Sequence, residues 1–318
     1  MTKVKSFFAN FREATVLLIV VVVSIILSFL FPYFFTWDNI RSVLIGMSCS
    51  AILAIGTTLV MASGAIDISL GAQLAMSGAI VGVLFIKGVP IVLAILVAIA
   101  ACALVGFLNG VIISNTTLNP MICTLATQYV CQGIANVITT GSPQSLRSAP
   151  EFFSFIGKGF VGGSFPMIFL EFLILGTIVD ILMRKSALVR KVYYVGSNSQ
   201  AATYSGINAR KVKILTFVFA AVMAGVAGVL TTARLSVASP AAGATVTMTA
   251  MSAAVIGGAS ASGGSGTILG TTLALILLSL VDNALVLMSV SVYWQNLISG
   301  VILLSAVLLD YFSHNHKH

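Results

Sequence analysis

Long runs without a charged residue constrain this chain more than any other feature. Between Lys87 and Arg147, 59 consecutive residues are uncharged, and so are the 47 residues that follow Arg234. Overall 58% of residues are hydrophobic and 8% are charged, whereas about a quarter are charged in an ordinary soluble domain. Since a membrane-spanning helix needs about 20 apolar residues, the sequence predicts an all-α, polytopic integral membrane protein.

The positions of the basic residues predict the topology. Lys and Arg collect on the cytoplasmic side of membrane proteins, and the basic start at Lys3 and Lys5 places the N-terminus there. Alternating the apolar stretches then predicts about ten transmembrane helices with both termini cytoplasmic. Eleven basic residues fall inside and five outside. The chain is interpreted as one membrane domain, 1–318, with an inner loop at 184–213 and an outer loop at 139–164.

The inner loop is the most polar part of the chain. Residues 184–213 hold seven of the sixteen Lys and Arg residues, and apolar spans flank them. Within the loop, 199–204 is predicted to be a short helix, introduced by Gly196 and Asn198 and closed by Gly206. Ala201 and Ala202 would give it a flat face suited to docking. Two interpretations stay open: a docking loop, or a solvated loop whose charges only fix the orientation.

Signatures of catalysis are missing from the sequence. There is no P-loop, no G-x-S-x-G motif and no paired carboxylates at helical spacing. The four cysteines have no metal-ligand spacing and should pack as small hydrophobes, and the tail SHNHKH is interpreted as a solvated terminus. The sequence therefore predicts no catalytic residues, no metal site and no nucleic-acid partner.

Two glycine-bracketed turns are predicted to lie at the inner ends of spans. They are 64–71 (GAIDISLG) and 257–266 (GGASASGGSG), the second joining predicted spans at 247–256 and 267–281. Glycines permit the backbone to approach closely, as in a gate or a tight helix crossing. Asp67 is interpreted as a cap for the next helix, with a transport role as the alternative. The candidate gate or structural residues are Gly64, Asp67, Ser69, Gly71, Gly257, Gly258, Gly263, Gly264 and Gly266.

Similar runs follow the two turns, LGAQLAMSGAIVGVLF after the first and LGTTLALILLSLV after the second. This weak similarity hints at an internal repeat of the two halves, a common device in transporters.

Four ordered motifs resemble one protein family. They are GAIDISLGAQLAMSGAI, GSNSQAATYSGINARKVKI, AAVIGGASASGGSGTILGTTLALILL and VYWQNLISGVILLSAVLLD, and the resemblance runs from about Trp37 to Asp310. The chain is similar to the membrane permease subunits of bacterial ATP-driven importers for monosaccharides, the ribose type of the branched-chain amino acid/ribose permease family. The resemblance implies a multi-pass protein of the bacterial inner membrane, with 139–164 in the periplasm.

The resemblance also implies partners. These are a second permease copy or close paralogue, a cytoplasmic ABC ATPase and a periplasmic sugar-binding protein. ATP and Mg would bind the ATPase, and this chain would bind no cofactor. In such importers a cytoplasmic loop carries the helix that contacts the ATPase, by position 196–207 here. The implied coupling residues are Gly196, Ser197, Asn198, Gln200, Ala201, Ala202, Ser205, Gly206 and Ile207.

Two departures from the family pattern stand out. Related permeases tend to have two adjacent Asn residues where this chain has Ser197 and Asn198, which puts the choice of ATPase in question. They also usually carry an acidic residue where this chain has Thr247, Met248 and Thr249, which puts a gate carboxylate in question.

Two further classes of transporter are weighed against the importer. A proton-coupled secondary sugar transporter would use Asp67 or Glu171 as its titrating group. A passive channel is disfavoured because no ring-forming polar repeat is evident. The sugar itself, and a homodimer against a heterodimer, stay open.

Overall fold

The computed structural model describes residues 12–291, together with 293–295, 297, 298, 300, 301 and 304. Most of the described chain is helical, and the only strands in it are two-residue pairs. The helices are α1 (Arg12–Leu30), α2 (Trp37–Ala62), α3 (Leu70–Ile86), α4 (Ile91–Asn115), α5 (Pro120–Thr139), α6 (Glu151–Lys158), α7 (Met167–Lys185), α8 (Ala187–Ser197), α9 (Ser199–Tyr204), α10 (Ala209–Leu235), α11 (Val246–Ile256) and α12 (Ile268–Leu287); the strands are β1 (Gln144–Ser145), β2 (Phe160–Val161), β3 (Phe165–Pro166) and β4 (Val237–Ala238).

Six of these helices are long and apolar enough to cross a membrane, namely α1, α2, α4, α5, α10 and α12. Two shorter apolar helices, α3 and α11, begin and end close to predicted spans. One predicted boundary is wrong. The span expected to end at Val281 continues to Leu287, so Asp282 and Asn283 lie inside α12 and do not mark its end. The predicted basic start and histidine tail, and most of the last predicted span, lie outside the described residues.

Helix α10 lies at the centre of the bundle, packed against α2, α3 and α4. Its neighbours approach through small residues. A Cβ added to Gly56 of α2 would lie 2.8 Å from the Cα of Ala220, and one added to Gly110 of α4 would lie 2.7 Å from the Cα of Ile214. Because lipid supplies no hydrophobic drive between helices, such close contact is the main source of packing energy in a membrane bundle.

The start of α2, Asn283 and the 139–164 segment, all predicted to lie on the outer side, meet at one end of the bundle. Asn39 and Asn283 exchange hydrogen bonds there through their side-chain amides, at 3.0 and 2.8 Å. The Arg41 guanidinium lies 4.9 Å from the centre of the Phe160 ring, and β1 pairs with β4. The 139–164 segment therefore packs onto the start of α2, and it contains α6 as well as loop.

The basic segment 184–213 was predicted to be an inner loop with a short helix at 199–204, and the structure has more helix in it than that. It is almost entirely helical, formed by the end of α7, by α8 and α9, and by the start of α10. Only short connections separate these helices. The reason is amphipathicity: Val192 and Val195 of α8 are buried while Leu188 and Tyr194 are exposed, a pattern with helical spacing that the surrounding charges obscure.

Candidate functional site

Helix α9 is a short, well-capped helix that covers the predicted residues 199–204. At its start, the Asn198 side chain accepts a hydrogen bond from the backbone N–H of Ala201 at 2.9 Å. At its end, Gly206 adopts a φ of +81°, which favours glycine, and the Ile207 N–H donates to the Ala202 carbonyl at 3.0 Å. These caps fix a one-turn helix that would be marginal without them.

The two alanines of α9 do not share an exposed face, so that expectation was wrong. Ala202 is buried, with 5% of its surface exposed, and packs toward the bundle. Ala201 is exposed, and Tyr204 is 90% exposed. In so short a helix the neighbours α8 and α10 decide which side is covered. The exposed coupling candidates are Ser197, Asn198, Gln200, Ala201, Ser205 and Gly206, while Gly196 and Ile207 are partly buried.

Gly196 and Ser197 belong to the end of α8 and not to the loop before α9. Gly196 lies against the last turn of α2, where an added Cβ would overlap the Ala62 carbonyl and lie 2.7 Å from the Gly264 nitrogen. Ala62 also accepts a hydrogen bond from the Gly264 N–H at 2.9 Å. The helix that leads into α9 therefore touches both glycine-bracketed turns.

We call Gly64, Gly196, Gly263 and Gly264 the glycine junction. A Cβ on Gly263 would lie 2.6 Å from the Gly196 carbonyl oxygen and 2.7 Å from the Gly64 Cα, and Gly263 itself has a φ of +89°. Three segments far apart in sequence thus meet backbone to backbone. The predicted close approach is present, and its partner is the segment that carries α9.

The other predicted glycines serve neighbouring crossings. Gly257 packs on Gly270, and Gly266 packs on Ala259, where an added Cβ would lie 3.0 Å from the Ala259 Cβ. Gly258 donates its N–H to the Val255 carbonyl at 3.0 Å and ends α11. Gly71 lies at the start of α3, in contact with Gly243.

Tyr193 of α8 was not singled out by the sequence, yet it bonds the second glycine turn two residues after the glycine junction. Its hydroxyl donates a hydrogen bond of 2.6 Å to the Gly266 carbonyl. Burial raises the pKa of Tyr193 to about 12, mainly because phenolate would lose its hydration there. The hydroxyl therefore stays protonated and remains a donor. A Tyr in an amphipathic, basic helix gives no sequence signal for such a contact.

A charged network borders the same place. The Glu13 carboxylate accepts hydrogen bonds from the Thr267 hydroxyl at 2.6 Å and from Arg184 at 3.3 Å, and Arg184 also pairs with Asp180 at 2.7 Å. Thr267 in turn caps α12 by accepting from the Gly270 N–H at 3.0 Å. The network ties α1 and α7 to the end of the second glycine turn.

Asp67 forms a local turn and does not cap α3 as expected. Its Oδ1 accepts from the Ser69 N–H at 2.9 Å and from the Ser69 hydroxyl at 2.5 Å. The helical N–H of Gly71 finds its acceptor elsewhere, in the Thr247 hydroxyl of α11 at 2.7 Å. The capping oxygen therefore comes from a distant helix, which sequence spacing cannot reveal.

Ser69 is the centre of a buried polar cluster. Its hydroxyl oxygen accepts from the Gln73 amide at 2.8 Å and from the Asn109 amide at 3.3 Å, and Asn109 accepts from Thr127 at 2.7 Å. Within the described part of the chain, Asp67 Oδ2 and Gln73 Oε1 are buried without a hydrogen-bond partner. Unpaired buried acceptors are costly, so this cluster is a second candidate for a functional role.

A family model named "Branched-chain amino acid transport system / permease component" matches residues 39–307. The chain belongs to this permease family. The permease is 35% identical to the ribose import permease protein RbsC of Bacillus subtilis (strain 168) over 286 residues, 90% of this chain and 88% of that protein. It is 34% identical to RbsC of Escherichia coli (strain K12), over 94% of this chain and 93% of that protein. No solved structure matches the chain.

A third relative broadens the comparison. The L-arabinose ABC transporter permease protein AraH of Azospirillum brasilense is 32% identical over 308 residues, 96% of this chain and 89% of that protein. With several apolar helices, the permease is a multi-pass protein of the bacterial inner membrane. It is a transport subunit, and ATP hydrolysis belongs to a separate subunit.

The departure at Thr247–Thr249 acquires a structural meaning in the permease. Thr247 is buried and uses its hydroxyl to cap α3. The next two residues are less buried than Thr247, since Met248 is exposed and Thr249 is partly buried. The neutral hydroxyl of Thr247 thus links α11 with α3. No group of His, Cys, Asp and Glu residues in the described chain could hold a metal ion.

Proposed function

We propose that this permease forms the membrane path of an ATP-binding-cassette importer for a ribose-like monosaccharide. The observation that carries the proposal is similarity over about nine-tenths of the chain to proteins named for ribose and L-arabinose import. A cytoplasmic ABC ATPase would drive the cycle, and a periplasmic binding protein would deliver the sugar. Two permease chains, identical or closely related, would enclose the path.

The proposed topology has ten spans with both termini in the cytoplasm. It rests on the excess of basic residues on one side and is supported by the meeting of the predicted outer features at one end of the bundle. Helix α9 then projects from the opposite, cytoplasmic end. Both glycine turns are followed by an apolar helix, α3 or α12, which is the arrangement that an internal repeat would give.

In this proposal α9 is the contact with the ATPase. Both of its ends are capped, its exposed residues are uncharged with Tyr204 the largest, and Arg210 and Lys211 lie in the first turn of α10. A short, uncharged helix beside basic residues can bind in a groove of a partner without burying an unpaired charge. Movement of the ATPase would reach α8 directly, because α8 and α9 are joined at Asn198.

The glycine junction would pass that movement to the bundle. Gly196 of α8 touches the end of α2 and the turn before α12 with no side chain between them, so little slack is available. Tyr193 adds a hydrogen bond to the same turn. Because close-packed contacts transmit displacement and do not absorb it, a shift of α8 would reorient α2 and α12 together.

The test is sugar uptake by proteoliposomes that contain the permease, its ATPase and its binding protein, with ribose as the first sugar assayed. Ala201→Glu places a charge on the exposed side of α9 and should abolish ATP-driven uptake while the protein still inserts and remains folded. The matched control is Ala187→Glu, an exposed alanine of the same basic segment outside α9. Normal uptake by Ala201→Glu would remove α9 from its proposed role.

A second candidate function is proton-coupled sugar transport. Three carboxylates in the described chain have a buried oxygen without a hydrogen-bond partner, and two of them, Asp67 and Glu171, form no salt bridge there. These two favour the second function, since intramembrane carboxylates often relay protons. Uptake that needs a proton gradient, persists without ATP and is lost in both Asp67→Asn and Glu171→Gln would support it. Uptake that depends on ATP and resists an uncoupler excludes it.

A further inference from the structure

A groove runs along the surface between α8 and α10. Its volume is about 660 Å³, and apolar side chains form most of its wall. We call it the α8–α10 groove. The leucines on its two walls are strongly exposed, Leu188 on α8 by 73% and Leu215 on α10 by 68%. Exposed leucines beside a basic segment need an apolar occupant, either bulk lipid or something held more tightly.

The polarity of the groove changes along its length. On α10 the lining begins with Asn208 and Lys211, α8 contributes Lys191, and no acidic residue lines the groove. Farther along α10 the lining is apolar, from Leu215 to Met223, with one exception. That exception, Thr216, donates its hydroxyl to the Val212 carbonyl at 2.8 Å and so presents no free donor.

These residues form one continuous face of α10, because their spacing of three and four residues returns to the same side of a helix. From Lys211 to Met223 the face is about 18 Å long at 1.5 Å per residue. Half of a bilayer's hydrocarbon core is about 15 Å thick. The face of α10 therefore has about the length of one lipid leaflet, with Lys211 at its polar end.

We propose that the α8–α10 groove is a binding site for an anionic phospholipid of the cytoplasmic leaflet. One acyl chain lies along α10 on Leu215, Val218 and Val222, and the phosphate of the headgroup lies between Lys191 and Lys211. The two lysines are on different helices, so a single headgroup joins them by attraction to both. Without such an anion the two like charges repel across the groove mouth.

The site has a mechanical consequence. Lys191 is two residues before Tyr193 on α8, and Asn208 caps α10 directly after α9, accepting from the Lys211 N–H at 3.0 Å. A lipid in the groove thus braces the two helices on which α9 stands. This consequence rests on the proposed role of α9, whereas lipid binding itself does not and can be measured without transport.

The test uses the full-length permease in nanodiscs of phosphatidylcholine doped with phosphatidylglycerol. Native mass spectrometry counts the phosphatidylglycerol that stays bound. We expect the double variant Lys191→Gln/Lys211→Gln to retain it at least about fivefold less well, the effect of losing one or two juxtamembrane charges. The matched control is Arg190→Gln/Lys213→Gln, which removes the same charge from neighbouring residues outside the lining and should bind like the wild type.

A second variant tests the apolar part of the site without touching the lysines. Val222→Trp fills the groove and should displace bound lipid while the headgroup charges remain. Equal retention in the lysine variant and the wild type would overturn the proposal, since binding would then not depend on the two lysines. An equal loss in the lysine variant and its control would also overturn it, since binding would then follow general charge. Cross-linking between two permease copies through Leu215→Cys would also overturn it, by placing a protein in the groove.

Discussion

Helix α9 and the glycine junction are both built from small residues, but they use them in opposite ways. In α9, Ala201 is exposed and leaves room for another protein. In the glycine junction, Gly196 and Gly263 bring three backbones together, and an added Cβ would overlap a neighbour. The same composition therefore marks a surface in one place and a buried crossing in the other. What separates them is whether the partner is within the chain or outside it.

The comparison suggests a division of labour. A surface for a partner should tolerate substitutions in the isolated permease and fail only in the assembled importer. A buried crossing should fail already in the isolated permease. Stability of the purified protein and uptake by the complete importer are thus the two measurements that distinguish the regions.

The largest expected effect is at the glycine junction. Gly196→Ala places a Cβ onto the Ala62 carbonyl, and overpacking of this kind costs about 1–3 kcal/mol. The control is Gly46→Ala, also in a helix but with nothing within 4 Å of the added Cβ, which should gain up to about 1 kcal/mol from helix propensity. Thermal unfolding of both variants in detergent measures the difference, and equal melting temperatures would show that the junction is not tightly packed.

Next in size is a pair of substitutions within α9. Ala202→Glu forces a carboxylate into a site that is 5% exposed and should cost about 1–3 kcal/mol through an unsatisfied buried group. Ala201→Glu, one residue earlier and exposed, should leave the isolated permease as stable as the wild type. Hydrogen exchange of the 198–208 backbone measures this. If both variants exchange alike, the burial of Ala202 against the bundle is contradicted.

Features of the fold and of the site could be predicted from the sequence where the residues that determine them are neighbours along the chain. The boundaries of α9 follow from Asn198 and Gly206, which lie next to the helix and act on its own backbone. The apolar spans could be predicted for the same reason, because each is indicated by its own run of uncharged residues. Helix α8 was missed because the charges of the segment dominate its composition, although Val192 and Val195 carry the amphipathic pattern.

Contacts between distant segments could not be predicted. The sequence indicated that both glycine turns permit close approach, but it did not show that Gly196 is the residue that approaches them. Likewise Thr247 caps α3 from 176 residues away, and a local carboxylate, Asp67, was the natural but wrong choice. One sequence without its fold cannot pair such residues, because nothing near either one identifies the other.

A smaller effect is expected from the hydrogen bond between Tyr193 and the second glycine turn. Tyr193→Phe removes the donor to the Gly266 carbonyl and should destabilise the permease by about 1 kcal/mol. Tyr194→Phe is the control, since Tyr194 is the next residue along α8 and its side chain is 57% exposed. If α8 passes movement to the second glycine turn, the uptake rate of Tyr193→Phe should be well below that of Tyr194→Phe, even at a temperature where both variants are fully folded. Uptake equal to that of Tyr194→Phe would limit Tyr193 to a packing role.

The smallest effect is expected at the charged network around the junction. Arg184 bridges Glu13 of α1 and Asp180 of α7, but its side chain is 50% exposed, and such pairs contribute only about 0–1 kcal/mol. Arg184→Gln should therefore lower the melting temperature slightly at low salt and not at all at high salt, where exposed charges are screened. Lys185→Gln, the adjacent exposed residue, is the control at both salt concentrations. A large, salt-independent loss in Arg184→Gln would mean that the network holds α1 and α7 in place as firmly as the glycine junction holds α8, and that the division between tight and loose regions must be redrawn.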